Sequence, residues 1–412
     1  MTDMATGACL ACGKRTLVPI MSFGDQPLAN ALLDESALAG DEARFPLDLV
    51  FCESCALLQI TESVDPELLF REYAYFSSYS TTMLEHAERL VDRLIHERGL
   101  DSHSLAMEIA SNDGYLLRHY VNAGVPVLGI DPARNIVEVA AENGVETMCA
   151  FFGKNLAREL AAAGRCASVL HANNVLAHVP DVNGVVSGIA LVLADDGLAV
   201  VETPYVRDLV ERTEFDTVYH EHLFYYSLTA LEHLLERDGL RIIDVERLEI
   251  HGGSLRVFAV RSNSPEEPRA AVRALLDEEE RLGVPEPGYF EDFASSVESL
   301  RRGLWELIRD LKEQGHRIAA YGAAAKGATL LNSFGIGTDV LDFVADRSEH
   351  KQGLYMPGAR LPIVSPEYLL EAMPDEVILL AWNFADEILE QQIEYRRRGG
   401  RFIVPVPRPR FV

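Results

Sequence analysis

At 412 residues, 48% hydrophobic and 25% charged, the chain is longer than one hydrophobic core usually organises and has the composition of an ordinary folded protein of at least two domains. Its 64 acidic residues outnumber 37 basic ones, and the formal charge of -27 repels nucleic acid and anionic membranes alike. Neither is an expected partner, and an anionic substrate has to be met by a local exception such as a helix N-terminus or a single lysine.

The first residues show no basic start followed by an apolar stretch, and no apolar run of about 18 residues occurs anywhere. A cytoplasmic protein is expected, taken as a monomer. In that reducing compartment six cysteines are not expected to form disulfides. Cys9 with Cys12, and Cys52 with Cys55, form two C-x-x-C pairs. Each pair puts two thiolates on one turn, and two such turns complete the tetrahedron that zinc prefers. Four sulfurs leave no open position, so the ion is expected to be structural, holding residues 1–70 as a small zinc-binding module. Cys149 and Cys166 stand alone and read as packed interior residues.

From 71 to 263, amphipathic helices alternate with short apolar strands, the pattern of a parallel sheet covered by helices. Strands are predicted at 105–109, 126–130, 169–172 and 198–202, with 241–247 and 254–260 close enough to pair antiparallel and finish the sheet. After the first strand, Ala110-Ser111-Asn112-Asp113-Gly114 turns into a helix, which is how such sheets receive an adenosine-containing ligand. The strict G-x-G-x-x-G pattern, which brings backbone against a pyrophosphate, is absent. S-adenosylmethionine has no pyrophosphate. Glu108 at the strand end can address that donor's cationic amino group, and Asp131, 23 residues on, stands where an acidic side chain bonds ribose hydroxyls. Ala110, Asn112 and Gly114 of the loop, Phe151 of the pair Phe151-Phe152, and Asn173 at a neighbouring strand end complete the cofactor-binding candidates. An aromatic pair at a strand end also suits a core.

Tyr219-His220-Glu221-His222 lies between the strand ending at 202 and a helix that begins near Ser227. Histidines two apart do not share a helix face, so this is not the H-E-x-x-H zinc motif. An extended loop would turn Tyr219 and Glu221 one way and His220 and His222 the other. Its position on the donor side of the sheet, shared with His178, favours catalysis over a merely solvated loop.

Ser262, Asn263, Ser264, Pro265 and Pro268 then break the chain, and 269–314 reads as two helices interrupted near Pro285, Pro287 and Gly288. A second strand-helix series follows, with strands at 318–321, 341–345, 377–381 and 402–404, making 264–412 a smaller doubly wound domain. Tyr321-Gly322-Ala323-Ala324-Ala325-Lys326-Gly327 leaves the first of these strands and opens a helix. Its free backbone amides and Lys326 offer a diphosphate the local exception sought above, although close strand-helix packing also selects such small residues. Trp382 and Asn383, ending a neighbouring strand, fall on the same side, toward base or sugar.

The cysteine pairs, Glu108-Ile109-Ala110-Ser111-Asn112-Asp113-Gly114-Tyr115-Leu116-Leu117, the Tyr219 to His222 loop and the Tyr321 to Gly327 loop together resemble, in order and over nearly the whole chain, the sugar C-methyltransferases of deoxysugar biosynthesis. The resemblance implies an α/β protein of three parts: a zinc-binding N-terminal module, a class I methyltransferase core of Rossmann-like fold, and a smaller C-terminal Rossmann-like α/β domain that helps hold a nucleotide sugar. It further implies that His222 is the catalytic base, that Tyr219, Glu221 and His178 line the substrate, and that Tyr75 lies near donor and substrate, a part that Tyr73 or Tyr79 would equally fill.

The chemistry wants these residue types. A sugar C–H beside a ketone can be deprotonated to an enolate by a base that works near neutral pH, and the enolate oxygen wants a hydrogen-bond donor, here Tyr219 or a protonated His178. The expected reaction is S-adenosylmethionine-dependent C-methylation of a nucleotide-linked 4-keto deoxysugar. By resemblance this is carbon 3 of a dTDP-sugar, with carbon 5 as the alternative. A nicotinamide-dependent sugar-nucleotide oxidoreductase, which wants a tighter glycine fingerprint, and a non-catalytic zinc adaptor are the rival readings.

Overall fold

The structure, a computed structural model, describes residues 7–65, 78 and 81–412 and contains three sheets, of four, seven and six strands. Strands β1 (Leu17–Pro27), β2 (Arg44–Cys52) and β3 (Leu57–Ile60) form an antiparallel N-terminal sheet. Its fourth strand, Phe224–Tyr225, comes from far along the chain and pairs with β3. Leu49, Val50, Phe51 and Cys52 are all fully buried. A strand buried on both faces needs partners on both, and Phe290, its ring 5.1 Å from that of Phe51, supplies one of them.

The second sheet is built from β4 (Ala106–Ile109), β5 (Val127–Asp131), β6 (Thr147–Cys149), β7 (Ala167–Asn173), β8 (Leu193–Pro204), β10 (Leu240–Leu248) and β11 (Ser254–Arg261), with β9 denoting Phe224–Tyr225. Their spatial order is β10-β11-β8-β7-β4-β5-β6. β11 runs antiparallel to both its neighbours, and the pairings from β8 to β6 are parallel. The chain moves outward from β4 through β5 to β6 and returns on the other side at β7. That reversal opens a crevice at the carboxyl ends of β4 and β7. β6 was not expected: its three residues are too few to show a period, and it lies half-exposed at the sheet edge. There Cys149 is exposed, and Cys166 is only partly buried, so neither lone cysteine is the packed interior residue expected.

Two helices, Ala270–Leu282 and Glu291–Glu313, follow the linker. The first ends on Gly283 at φ 77, a left-handed cap that a side chain would strain. Its buried Glu279 accepts from the Leu228 and Thr229 amides at 2.8 and 2.9 Å, occupying the N-terminus of the helix Leu228–Glu236.

The third sheet has β12 (Ile318–Tyr321), β13 (Val344–Ala345), β14 (Ile363–Val364), β15 (Glu376–Leu379), β16 (Arg401–Val404) and β17 (Arg410–Phe411), ordered β14-β13-β12-β15-β16-β17. It repeats the plan of the second sheet, reversing between β12 and β15. The strand expected over 341–345 shrinks to two residues, and the short β14 and β17 were missed. One apolar cluster runs through all three parts, joining Leu49, Leu231 and Ile378. Among the described residues, no helix is long and apolar enough to cross a membrane.

Candidate active site and zinc centre

Cys9, Cys12, Cys52 and Cys55 place their sulfurs within 4.8 Å of one another. Cys9 to Cys55 is 3.7 Å and Cys12 to Cys52 is 3.6 Å. A tetrahedron of Zn–S bonds of about 2.3 Å has edges of about 3.8 Å, so the quartet fits the ion. The neighbouring Cys55 sulfur pulls the Cys9 thiol down to about 5, while burial pushes Cys12 up to about 11. Sulfurs this crowded share protons unevenly, and a bound cation removes the conflict. The turn docks on the second sheet's helices: Asn183 donates to the Leu10 carbonyl at 3.3 Å and Arg237 to that of Ala11 at 2.5 Å.

The loop after β4 is shaped by left-handed residues, Ala110 at φ 51, Asn112 at φ 50 and Gly114 at φ 77. A Cβ on Gly114 would stand 2.7 Å from Val145, so the position demands glycine on two counts. Asp131 closes the loop by accepting from the Asn112 amide at 3.0 Å and the Ala133 amide at 2.9 Å. Glu108 is 1% exposed, and burial, reinforced by the charges of Asp131, Asp113 and Glu202, holds its carboxyl well above the usual range.

Among the described residues Glu108 Oε2, Asp113 Oδ1 and Asn173 Oδ1 are buried acceptors with no hydrogen-bond partner. Such orphans are costly unless a ligand donates to them. A cationic, hydroxyl-bearing ligand answers that need. Phe151 is 40% exposed while Phe152 packs inward, so the aromatic pair is split between surface and core. Tyr75 lies outside the described residues, as do its alternatives Tyr73 and Tyr79.

The histidine loop is not extended. The His222 amide donates to the Tyr219 carbonyl at 2.8 Å, closing a turn. The turn brings Tyr219 and His222 to one side, rings 4.1 Å apart, and parts His222 from His220, against the expected alternation. His222 Nδ1 meets the Thr217 carbonyl at 2.8 Å. That oxygen can only accept, so Nδ1 carries the proton and Nε2 keeps the lone pair. The Tyr219 hydroxyl sits 2.9 Å from Nε2. His178 meets His222 edge-on at 4.8 Å, and burial pushes its pKa down to about 4. Burial thus disfavours its protonated form, which favours Tyr219 of the two donors considered.

His220 and Glu221 are held by the N-terminal module. His220 Nε2 donates to the Pro46 carbonyl at 3.1 Å, and Glu221 accepts from the Asn30 amide at 2.7 and 2.9 Å. The loop's start is held from two sides, because Phe215 stacks on Phe334 at 4.7 Å and lies 6.2 Å from Phe23.

Asp216 is fully buried and accepts from the Trp382 indole at 2.6 Å. Trp382 is thus anchored to this carboxylate through its indole nitrogen. Lys326 Nζ sits 4.6 Å over the Trp382 ring and, among the described residues, is buried without a hydrogen bond. Burial pushes Asp216 up to about 6 and Glu214 to about 7, with Lys326 opposing both shifts. The helix Ala325–Phe334 has no side-chain cap. Gly322, at φ 97, lets the loop leave β12, and Asp346 accepts from the Ala323 and Ser348 amides at 2.6 and 2.8 Å, repeating the bridge made by Asp131. Tyr321 is buried, its hydroxyl 3.4 Å from Gln392 Nε2, and Asn383 lies in the one-turn helix Trp382–Phe384. Asn30 and Asp216 carried no sequence signal, since their partners lie 191 and 166 residues away.

Three family models match the chain: a zinc binding domain at residues 9–70, a methyltransferase domain at 83–245 and a C-methyltransferase C-terminal domain at 249–407. The chain is similar to the C-methyltransferase NovU of Streptomyces niveus, 40% identical over 404 residues, covering 98% of this chain and 96% of that one. Similar solved structures include the magnesium protoporphyrin IX methyltransferase of Synechocystis PCC 6803 with S-adenosylmethionine bound, 18% identical over 43% of this chain and 79% of that one, TM-score 0.34. Another is an S-adenosylmethionine-dependent methyltransferase of Clostridium acetobutylicum, 10% identical over 44% of this chain and 92% of that one, TM-score 0.36. The family models and the NovU relative displace the oxidoreductase and adaptor readings: the chain belongs to the S-adenosylmethionine-dependent C-methyltransferases that join a zinc-binding module, a methyltransferase core and a C-methyltransferase C-terminal domain.

Proposed function

We propose that this C-methyltransferase acts on a nucleotide-linked 4-keto deoxysugar, at carbon 3 of a dTDP-sugar, with His222 as the base that generates an enolate. The observation that carries the reading is the His222 imidazole, whose Nδ1 is fixed on the Thr217 carbonyl and whose Nε2 lone pair faces the Tyr219 hydroxyl at 2.9 Å. The orphaned acceptors of Glu108, Asp113 and Asn173 supply the donor's place on the same side of the sheet.

When bound, S-adenosylmethionine supplies a methyl carbon on a cationic sulfur. Glu108 would address the donor's cationic amino group, and Asp131 offers its remaining lone pairs to ribose hydroxyls. At the acceptor, His222 Nε2 removes the proton α to the ketone. The Tyr219 hydroxyl turns its hydrogen from Nε2 to the carbonyl oxygen, where negative charge develops. Neutral His178 and the loop wall off water beside the imidazole. Lys326 and the uncapped helix Ala325–Phe334 take the diphosphate, and Tyr321 and Asn383 lie at the same end of the sheet. The bound donor would supply its methyl group to the enolate carbon, and His222 would release the proton it took to solvent.

The test incubates the protein with S-adenosylmethionine and a panel of dTDP-linked 4-keto sugars and reads product mass and the methylated position. A gain of one methyl at carbon 3 is expected. Methylation at carbon 5 moves the site of attack, and no methylated sugar across the panel overturns the substrate class.

A further inference from the structure

We propose that Asn30, in the zinc-binding module, is a positioning residue for methyl transfer: by donating to Glu221 it fixes the backbone from which His222 reaches the substrate. The proposal rests on His222 being the base. Its grounds are a pattern in how the loop is held. Three residues around His222 are tied to the module: His220 through the Pro46 carbonyl at 3.1 Å, Glu221 through the Asn30 amide at 2.7 and 2.9 Å, and Leu223 through its carbonyl, which accepts from the Ile60 amide at 3.0 Å. His222 alone turns the other way, to Thr217 and Tyr219. The module thus grips the loop on either side of the imidazole.

Of the three ties, the Leu223 contact is backbone to backbone, and His220 is also held by the edge of Phe45 at 5.8 Å. The Asn30–Glu221 contact depends wholly on side-chain chemistry. Glu221 is 6% exposed, and burying a carboxylate without donors is costly. Among the described residues the Asn30 amide is the side-chain donor that meets it. Asn30 follows β1, whose sheet hangs from the cysteine quartet, and Leu33 bridges to Tyr355 of the C-terminal domain, pinning the same segment at its far end. Loss of the amide leaves the carboxylate free to seek another partner and to carry its neighbour with it. A displacement of about 1 Å at a reacting group is enough to cost up to a hundredfold in rate.

The experiment uses the full-length, zinc-loaded protein and compares Asn30→Ala with Asn30→Asp, which keeps the shape but cannot donate. Zinc content, S-adenosylhomocysteine affinity by calorimetry, and kcat and KM on a dTDP-linked 4-keto sugar that the wild type methylates are measured. Both variants are expected to keep zinc and to bind S-adenosylhomocysteine within about twofold of wild type, while kcat falls roughly tenfold to a hundredfold. A packing role alone predicts that Asn30→Asp retains wild-type kcat, and that result overturns the proposal. So does a fall in donor affinity as large as the fall in kcat.

Should either variant lose zinc, a cycle with Glu221→Gln decides. If Asn30 acts through Glu221, the double variant is no slower than the worse single one, whereas additive losses overturn the idea. A fully active His222→Asn control would instead count against the base assignment.

Discussion

The proposed donor half of the site is built within one stretch, residues 108–173 on three adjacent strands, whereas the proposed acceptor half gathers residues as far apart as Asn30 and Trp382. In the first, one strand-loop-helix unit supplies the turn, Glu108 and Asp113, and the ends of the two flanking strands add Asp131 and Asn173. In the second, a six-residue reach from Asp216 to Glu221 is gripped by the zinc module through Asn30 and by the C-terminal domain through Trp382. Binding of a donor needs only a well-formed sheet end. Presenting a base to a second substrate needs three parts of the chain in register, and changes in the two halves should therefore separate affinity from turnover.

The largest expected effect is His222→Asn, which should lower turnover by on the order of a hundredfold or more and leave S-adenosylhomocysteine affinity within about twofold. Equal losses in both would erase the distinction between the halves. Cys52→Ser sharpens it from a distance. Zinc, expected at about one per chain, should be lost, and turnover should drop tenfold or more while the donor still binds. Metal analysis and calorimetry on the same sample read both, and a chain without zinc that methylates normally contradicts the account.

Asp131→Ala is the opposite case. It removes the carboxylate bridging the Asn112 and Ala133 amides, and S-adenosylhomocysteine affinity should fall by roughly 1.5–3 kcal/mol. Lys326→Met should weaken dTDP binding by about tenfold and spare the donor site, because a desolvated cation is exchanged for an apolar side chain of similar length.

At neutral pH the smallest effect belongs to the donor half's core, because it is felt only as the pH falls. His171 is fully buried, bonded to the Tyr120 hydroxyl at 2.9 Å, and burial pushes its pKa from the usual 6.5 down to about 3. The unfolded chain takes up this proton as pH falls below 6.5 and the folded chain does not. Its contribution is intact above that value and is lost progressively toward pH 3. Denaturant melts of His171→Gln, compared with wild type, should show a shallower acid limb.

Legibility followed the same division. Glu108, the left-handed loop and Asp131 announce themselves because strand, turn and acidic residue recur at a spacing that sheet geometry imposes. The cysteine quartet is legible for a like reason, since four sulfurs at two turns have one common use. Tyr219 to His222 stood out by composition, but its turn did not: alternation assumed an extended loop, and the amide-to-carbonyl bond from His222 to Tyr219 reversed it. Asn30 and Asp216 were silent, as single polar residues whose roles arise only when parts dock. β6, β14 and β17 are too short to show a period.

The most direct measurement of the central claim watches proton removal without methyl transfer. The wild-type protein is loaded with S-adenosylhomocysteine and a dTDP-linked 4-keto sugar in deuterated water, and loss of the sugar's α-proton signal is followed by NMR beside the same sample of His222→Asn. The account predicts exchange at the carbon that becomes methylated in the wild type, slowed by on the order of a hundredfold in the variant. Exchange at the wild-type rate in His222→Asn would contradict it.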